Sequence, residues 1–230
     1  MDRKQSPDCA KCPNIACNPA IKADDELSLD KAPISCPMKL MPEVLEKALL
    51  EYDKLEVKEL ARQASLQEFE CYEQIPGGRR AKNPRILELI QFARKCGYRR
   101  LGLAFCDGLT NEARILTEIL ESKGFGVVSV RCKVGAIPKE KIGIEPEYKI
   151  KGPECWESMC NPITQAEIMN AEKVDLAIML GLCIGHDTLF IKYCHVPLTV
   201  IAVKDRVTGH NPLAALYLSR SYYSNLMAKT

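Results

Sequence analysis

The chain has 230 residues, 47% of them hydrophobic and 27% charged, with 32 Lys plus Arg against 30 Asp plus Glu; these are ordinary globular values and exclude a disordered, collagenous or coiled-coil chain. The length fits one α/β domain with an appendage, or two small domains. A formal net charge of +2 offers no field for a polyanion, so nucleic acid is not expected as a partner.

The longest apolar run, residues 176–185, is about half a membrane span, so no membrane is expected either. Residues 1–18 contain no apolar stretch that could direct secretion, which places the chain in a reducing cytoplasm. There, the twelve cysteines are expected to bind metal or do redox chemistry rather than form lasting disulfides. With three histidines in the chain, any metal site has to be rich in thiolate.

Residues 1–40 carry Cys9, Cys12, Cys17 and Cys36 among Pro, Asp, Ser and Lys, with no sustained period. Such a segment needs something other than a core to order it. In Cys9-x2-Cys12-x4-Cys17-x18-Cys36 the close pair can chelate one centre while the later thiols complete four ligands, which predicts zinc or an iron-sulfur cluster. The alternative is an exposed tail, whose four thiols would oxidise easily. Two helical stretches follow over residues 42–74, carried by Val44, Leu45, Ala48 and Leu49 and then by Leu55, Val57, Leu60 and Ala61. Pro76-Gly77-Gly78 and the basic Arg79, Arg80 and Lys82 then mark a boundary, giving a cysteine-rich helical module over 1–75 and a second domain over 76–230.

The second domain alternates helix and strand. Asn83-Pro84 starts a helix with the stripe Ile86, Leu89, Ile90 and Ala93, and residues 101–106 form the first strand. A helix over 110–123 ends at Gly124, and 125–132 is the second strand. After a long polar connection, Asn161-Pro162 caps a helix to about residue 173, followed by a strand over 174–183, a short helix over 186–194 and a strand over 198–204. Asn211-Pro212 caps the last helix, which contains Leu213, Leu216 and Tyr217. The strands are near-continuous apolar runs, so the expected fold class is α/β: an open parallel sheet with helices on both faces, preceded by the cysteine-rich module.

Cys106, Cys132 and Cys183 end three strands, and Cys160 precedes the Asn161 cap. In an open parallel sheet the carboxyl ends of the strands form the ligand crevice, and helix N-termini there favour thiolates. Four thiols are therefore expected to meet on an iron-sulfur cluster, of four irons and four sulfides, at Cys106, Cys132, Cys160 and Cys183. Each cysteine taken alone could equally pack as a small apolar residue. Cys155 is the alternative to Cys160, while Cys71, Cys96 and Cys194 are read as packing residues. The metal ligands expected are thus Cys9, Cys12, Cys17, Cys36, Cys106, Cys132, Cys160 and Cys183.

His186, Asp187, Lys204 and His210 follow the strand ends and are the candidates for holding a small substrate or moving protons beside the metal. Helix capping or solvent exposure would also account for His186, and capping alone for Asn211. The connection over 133–160 is long enough to be a lid, or a plain surface excursion. There is no P-loop and no His-Glu-x-x-His, and Gly124-x-Gly126 precedes a strand instead of following one, so no nucleotide site is supported by motif.

Five blocks stand out in order: Phe105 to Leu109 (FCDGL), Cys132 to Gly135 (CKVG), Met159 to Pro162 (MCNP), Gly181 to Asp187 (GLCIGHD) and Lys204 to Pro212 (KDRVTGHNP). Together they resemble an uncharacterised family of cysteine-rich, metal-binding proteins of archaea and bacteria, over nearly the whole chain from about Cys9 to Tyr217. The resemblance implies metal binding, on the strength of the family's cysteines, and adds no reaction or substrate. Three functions compete: an iron-sulfur protein doing redox or Lewis-acid chemistry on a small molecule or with a redox partner, a zinc-binding or metal-handling protein without catalysis, and a thiol enzyme with Cys106 or Cys183 as nucleophile.

Overall fold

The computed structural model describes residues 6–13, 16–19, 21–23 and 25–228; the reading of residues 1–18 lies in part outside the described residues. The chain divides into two compact units, Met1–Leu66 and Gln67–Thr230.

In the first unit a 3-10 turn at Cys9–Lys11 precedes α1 (Pro37–Leu40), α2 (Pro42–Tyr52) and α3 (Leu55–Glu70), which runs on into the second unit. Pro37 and Pro42 open their helices, where a missing N–H is harmless and the proline ring presets φ. Among the described residues of this unit only Ala32 is buried. Val44, Leu45, Leu49 and Leu60, expected as apolar stripes, are exposed.

In the second unit β1 (Tyr72–Ile75) and β2 (Gly78–Ala81) pair antiparallel. Pro76-Gly77, read in the sequence as a boundary, is the turn of this hairpin, and Gly77 has the positive φ of 85° that a tight turn asks of glycine. The hairpin is illegible by pattern because no apolar face of it is buried, Tyr72 and Ile75 being exposed; an ion pair between Glu73 and Arg80 links its strands across the ladder.

The helix α4 (Arg85–Lys95) leads to the main sheet, and the remaining elements are β3 (Arg100–Phe105), α5 (Thr110–Ser122), β4 (Gly126–Arg131), α6 (Pro162–Ala171), β5 (Leu176–Leu182), α7 (His186–Tyr193), β6 (Leu198–Val203) and α8 (Leu213–Tyr217). The sheet has the order β4-β3-β5-β6 with every pair parallel. The chain moves outward from β3 to β4 and then returns past β3 to β5, so the direction of winding reverses between the carboxyl ends of β3 and β5. That reversal is where doubly wound sheets open a ligand crevice.

Alternation along the strands sorts the core into two layers. Leu101, Leu103 and Phe105 of β3 and Leu176, Ile178 and Leu180 of β5 pack with Leu89, Ile90 and Ala93 of α4 and Ala113, Leu116 and Leu120 of α5. On the opposite face Ala104, Val130, Ala177 and Met179 pack with Ala166 and Met169 of α6 and Phe190 of α7. Both faces are therefore covered by helices. β5 is buried throughout, whereas the edge strand β6 is half-buried along its length; its apolar run reflects cover on the faces and not on its outer edge.

Candidate functional site

Each strand ends one residue before its cysteine. Phe105 and Arg131 are register partners in β3 and β4, so Cys106 and Cys132 are the next residues in line. Phe105 packs on the α4–α5 side, and alternation turns Cys106 and Cys132 to the α6–α7 side, where both belong to the buried layer and Cys160 and Cys183 pack against it. The Cys132 carbonyl accepts the Asn161 N–H at 2.7 Å, which ties the start of α6 to the end of β4. Asn161 caps α6 by accepting the Thr164 N–H at 3.2 Å. Cys160, one residue before this cap, is thereby set next to Cys132.

The three thiols form a row with Cys132 in the middle, interacting with Cys106 on one side and Cys160 on the other. The Asp107 N–H donates to the Cys132 sulfur at 3.2 Å, and Lys133 Nζ lies 3.4 Å from the Cys160 sulfur. The Cys132 thiol holds Cys106 down to about 5, against burial and with help from the Gly108 N–H and Lys204. Cys160 is held down to about 4, first by Cys132 and then by His186 and Lys133. Cys132 is pushed up, first by Cys106 and Cys160 and then by burial.

His186 opens α7 and is raised by its interaction with Cys160. Its Nδ1 is buried without a hydrogen-bond partner, an arrangement that native structures seldom keep without a reason. Of the other candidates, Lys204 interacts with Cys106, while Arg206 donates to the Cys183 sulfur at 3.2 Å. Asp187 accepts the Thr188 N–H at 2.7 Å inside its own helix. The His210 ring accepts the Asp205 N–H through Nδ1 at 3.1 Å and so serves its own loop, where His210 has a φ of 67°.

Cys155 is exposed, and it is Cys160 that stands with the thiols. Cys71 is buried, Cys96 closes α4, and the Cys194 thiol donates to the Val196 carbonyl at 3.7 Å. Cys9, Cys12, Cys17 and Cys36 line a single cavity in the first unit. Among the described residues, no three His, Cys, Asp or Glu side chains close on one point as the ligands of a single ion.

Two residues at the site escaped the sequence reading. Lys133 follows a strand-end cysteine and reads as an ordinary loop charge. Gln165 is fully buried in α6 and donates to the carbonyls of Phe105 at 3.2 Å and Val130 at 2.7 Å, clamping the ends of β3 and β4. Its signal was a polar residue on the covered face of an apolar helix. The long connection is stitched together at its base: Pro138 bridges Ser158, and the Met159 N–H donates to the Ile137 carbonyl at 2.8 Å.

The family model described as "Protein of unknown function (DUF1847)" matches residues 36–201 of the chain. The chain belongs to this family. The match runs from Cys36 into β6 and so takes in all four crevice cysteines. An uncharacterised protein of Methanocaldococcus jannaschii, MJ0455, is 43% identical over 185 residues, which cover 80% of this chain and 89% of that protein. No solved structure matches the DUF1847 chain. No helix among its described residues is long and apolar enough to cross a membrane.

Proposed function

We propose that this DUF1847 protein is an iron-sulfur protein of the reducing cytoplasm, with Cys106, Cys132, Cys160 and Cys183 holding a cluster at the crevice. The observation that carries the reading is the row of three thiols delivered by three separate segments of the chain and bordered by Lys133, Lys204 and His186. A cluster on several thiolates carries excess negative charge, and these cations with the N-termini of α6 and α7 would offset it. The donor set is soft and suits iron-sulfur or zinc far better than a hard cation. The unpartnered Nδ1 of His186 is a polar atom that a bound group would satisfy. When bound, the cluster would supply redox or Lewis-acid chemistry. His186 would hold a proton beside it, and Lys204 would attract an anionic small molecule or the acidic face of a redox partner.

A second reading, a metal-free thiol enzyme with Cys106 as nucleophile, is favoured by Lys204 and the Gly108 N–H on its sulfur. Anaerobic purification separates the readings. The iron-sulfur protein shows visible absorbance and acid-labile sulfide, diminished by Cys106→Ser, Cys132→Ser or Cys160→Ser and unchanged by Cys96→Ser. Zinc lost with the same three substitutions makes the crevice a zinc site, and no metal dependent on them leaves the thiol enzyme.

A further inference from the structure

The first unit has almost no apolar interior, yet four of its cysteines line one pocket. Cys9, Cys12, Cys17 and Cys36, with Pro37 and Met38, line one cavity of about 290 Å³. Local bonding explains how these cysteines are presented. The 3-10 turn brings the Cys12 N–H to the Cys9 carbonyl at 3.2 Å. Cys36 precedes α1, its N–H on the Pro33 carbonyl at 2.9 Å and its own carbonyl accepting the Lys39 and Leu40 N–H groups at 2.9 and 3.0 Å. Lys39 Nζ reaches back to the Ala32 carbonyl at 2.7 Å, closing that segment into a loop.

We propose that this cavity is the seat of a four-iron, four-sulfide cluster ligated by Cys9, Cys12, Cys17 and Cys36, and not of a single zinc ion. Tetrahedral zinc holds its sulfurs at ~2.3 Å and so draws them to within about 3.8 Å of one another, leaving no space between them. Here the four cysteines, with Asp8, Pro33 and Met38 among others, line a pocket of about 290 Å³. The pocket is open to solvent, with Cys9 and Cys17 exposed, and no three of the described side chains in it close on one point as the ligands of a single ion. A cubane cluster has a body to fill the space and one iron corner for each thiolate. Ligation would then organise a segment that has no core of its own. With four cysteines the cluster would be closed, which suits electron storage or transfer rather than substrate binding.

The inference does not rest on the crevice site, and its test keeps the two apart. The full chain carrying Cys106→Ser, Cys132→Ser and Cys160→Ser together is purified anaerobically and assayed for iron, sulfide and zinc. Retention of about four iron and about four sulfide per chain is expected. About one zinc in their place, or no metal at all, overturns the assignment. The reciprocal pair Cys12→Ser and Cys17→Ser, made in the otherwise unaltered chain, is expected to lose about four iron per chain relative to the unaltered protein; loss of one zinc, or no loss, overturns it. Either preparation decides alone should the other fail to fold.

Discussion

The Lys133 ammonium lies 3.4 Å from the Cys160 sulfur and 2.8 Å from the Ser158 carbonyl oxygen, so one side chain at the end of β4 fastens both the base of the long connection and the thiol that closes it. Lys133 and Cys160 are 27 residues apart in sequence, yet this ammonium and the Asn161-to-Cys132 backbone bond of 2.7 Å hold Cys132 and Cys160 at one edge.

Replacing Lys133 with Met removes the charge and the Ser158 bond while keeping most of the stem's volume. Groups that orient and charge-balance metal ligands typically contribute about 10- to 100-fold in metal affinity. Lys133→Met is therefore expected to weaken retention of the proposed crevice cluster by about that factor in a chelator competition, with Lys133→Arg losing less. Unchanged retention in Lys133→Met would remove the residue from the site.

The Gln165 amide must present its nitrogen to the Phe105 and Val130 carbonyls, because the opposite orientation would set oxygen against oxygen. Both carbonyls keep a second donor at the β3–β4 pairing, the Cys132 N–H at 2.9 Å for Phe105 and the β3 backbone for Val130, so Gln165→Leu removes one bond from each. Losing a neutral hydrogen bond costs about 0.5 to 1.5 kcal/mol. The expected result is a lower urea midpoint with an unchanged slope. Gln165→Glu should lose more, since an ionised carboxylate has no proton to give either carbonyl.

Much of this architecture was legible in the sequence, and the reason is periodicity. The apolar runs ending at Cys106, Cys132 and Cys183 gave the strands to within a residue or two, and Asn161-Pro162 gave the start of α6. The β1–β2 hairpin was illegible because it has no buried face: Tyr72 and Ile75 are exposed, and Glu73 and Arg80 link the strands. The neighbourhood of each thiol was only half legible. Topology places strand ends at one edge, but which cations reach which sulfur depends on loop paths: Lys204 goes to Cys106, Arg206 to Cys183, and His210 turns back into its own loop. Gly181 is a further case. It has a φ of 66°, and a side chain there would collide with Leu109 at 2.0 Å; the glycine in Gly-Leu-Cys thus reflects the register irregularity near the end of β5.

The base of the long connection carries a pH dependence of its own. Glu157 is only 5% exposed; its carboxylate is 2.8 Å from Lys139 Nζ and accepts the Lys151 N–H at 3.1 Å. The Lys139 bond is the first of the influences that hold this carboxyl below the usual carboxylate range, and burial opposes it. In the unfolded chain the same group titrates near ~4.3. Between the two values the unfolded state binds more protons than the folded one, so stability rises with pH across that window. The contribution is complete above ~4.3 and is lost as pH falls through the folded value. The amides of residues 137–159 are therefore expected to be protected from hydrogen exchange at pH 6 and to lose protection at pH 3, after correction for intrinsic rates. In Glu157→Gln the carboxylate is absent at every pH, so the loop should exchange faster than the unaltered chain at pH 6 and change little on acidification. A variant that kept the full acid sensitivity would show that another carboxylate controls the loop.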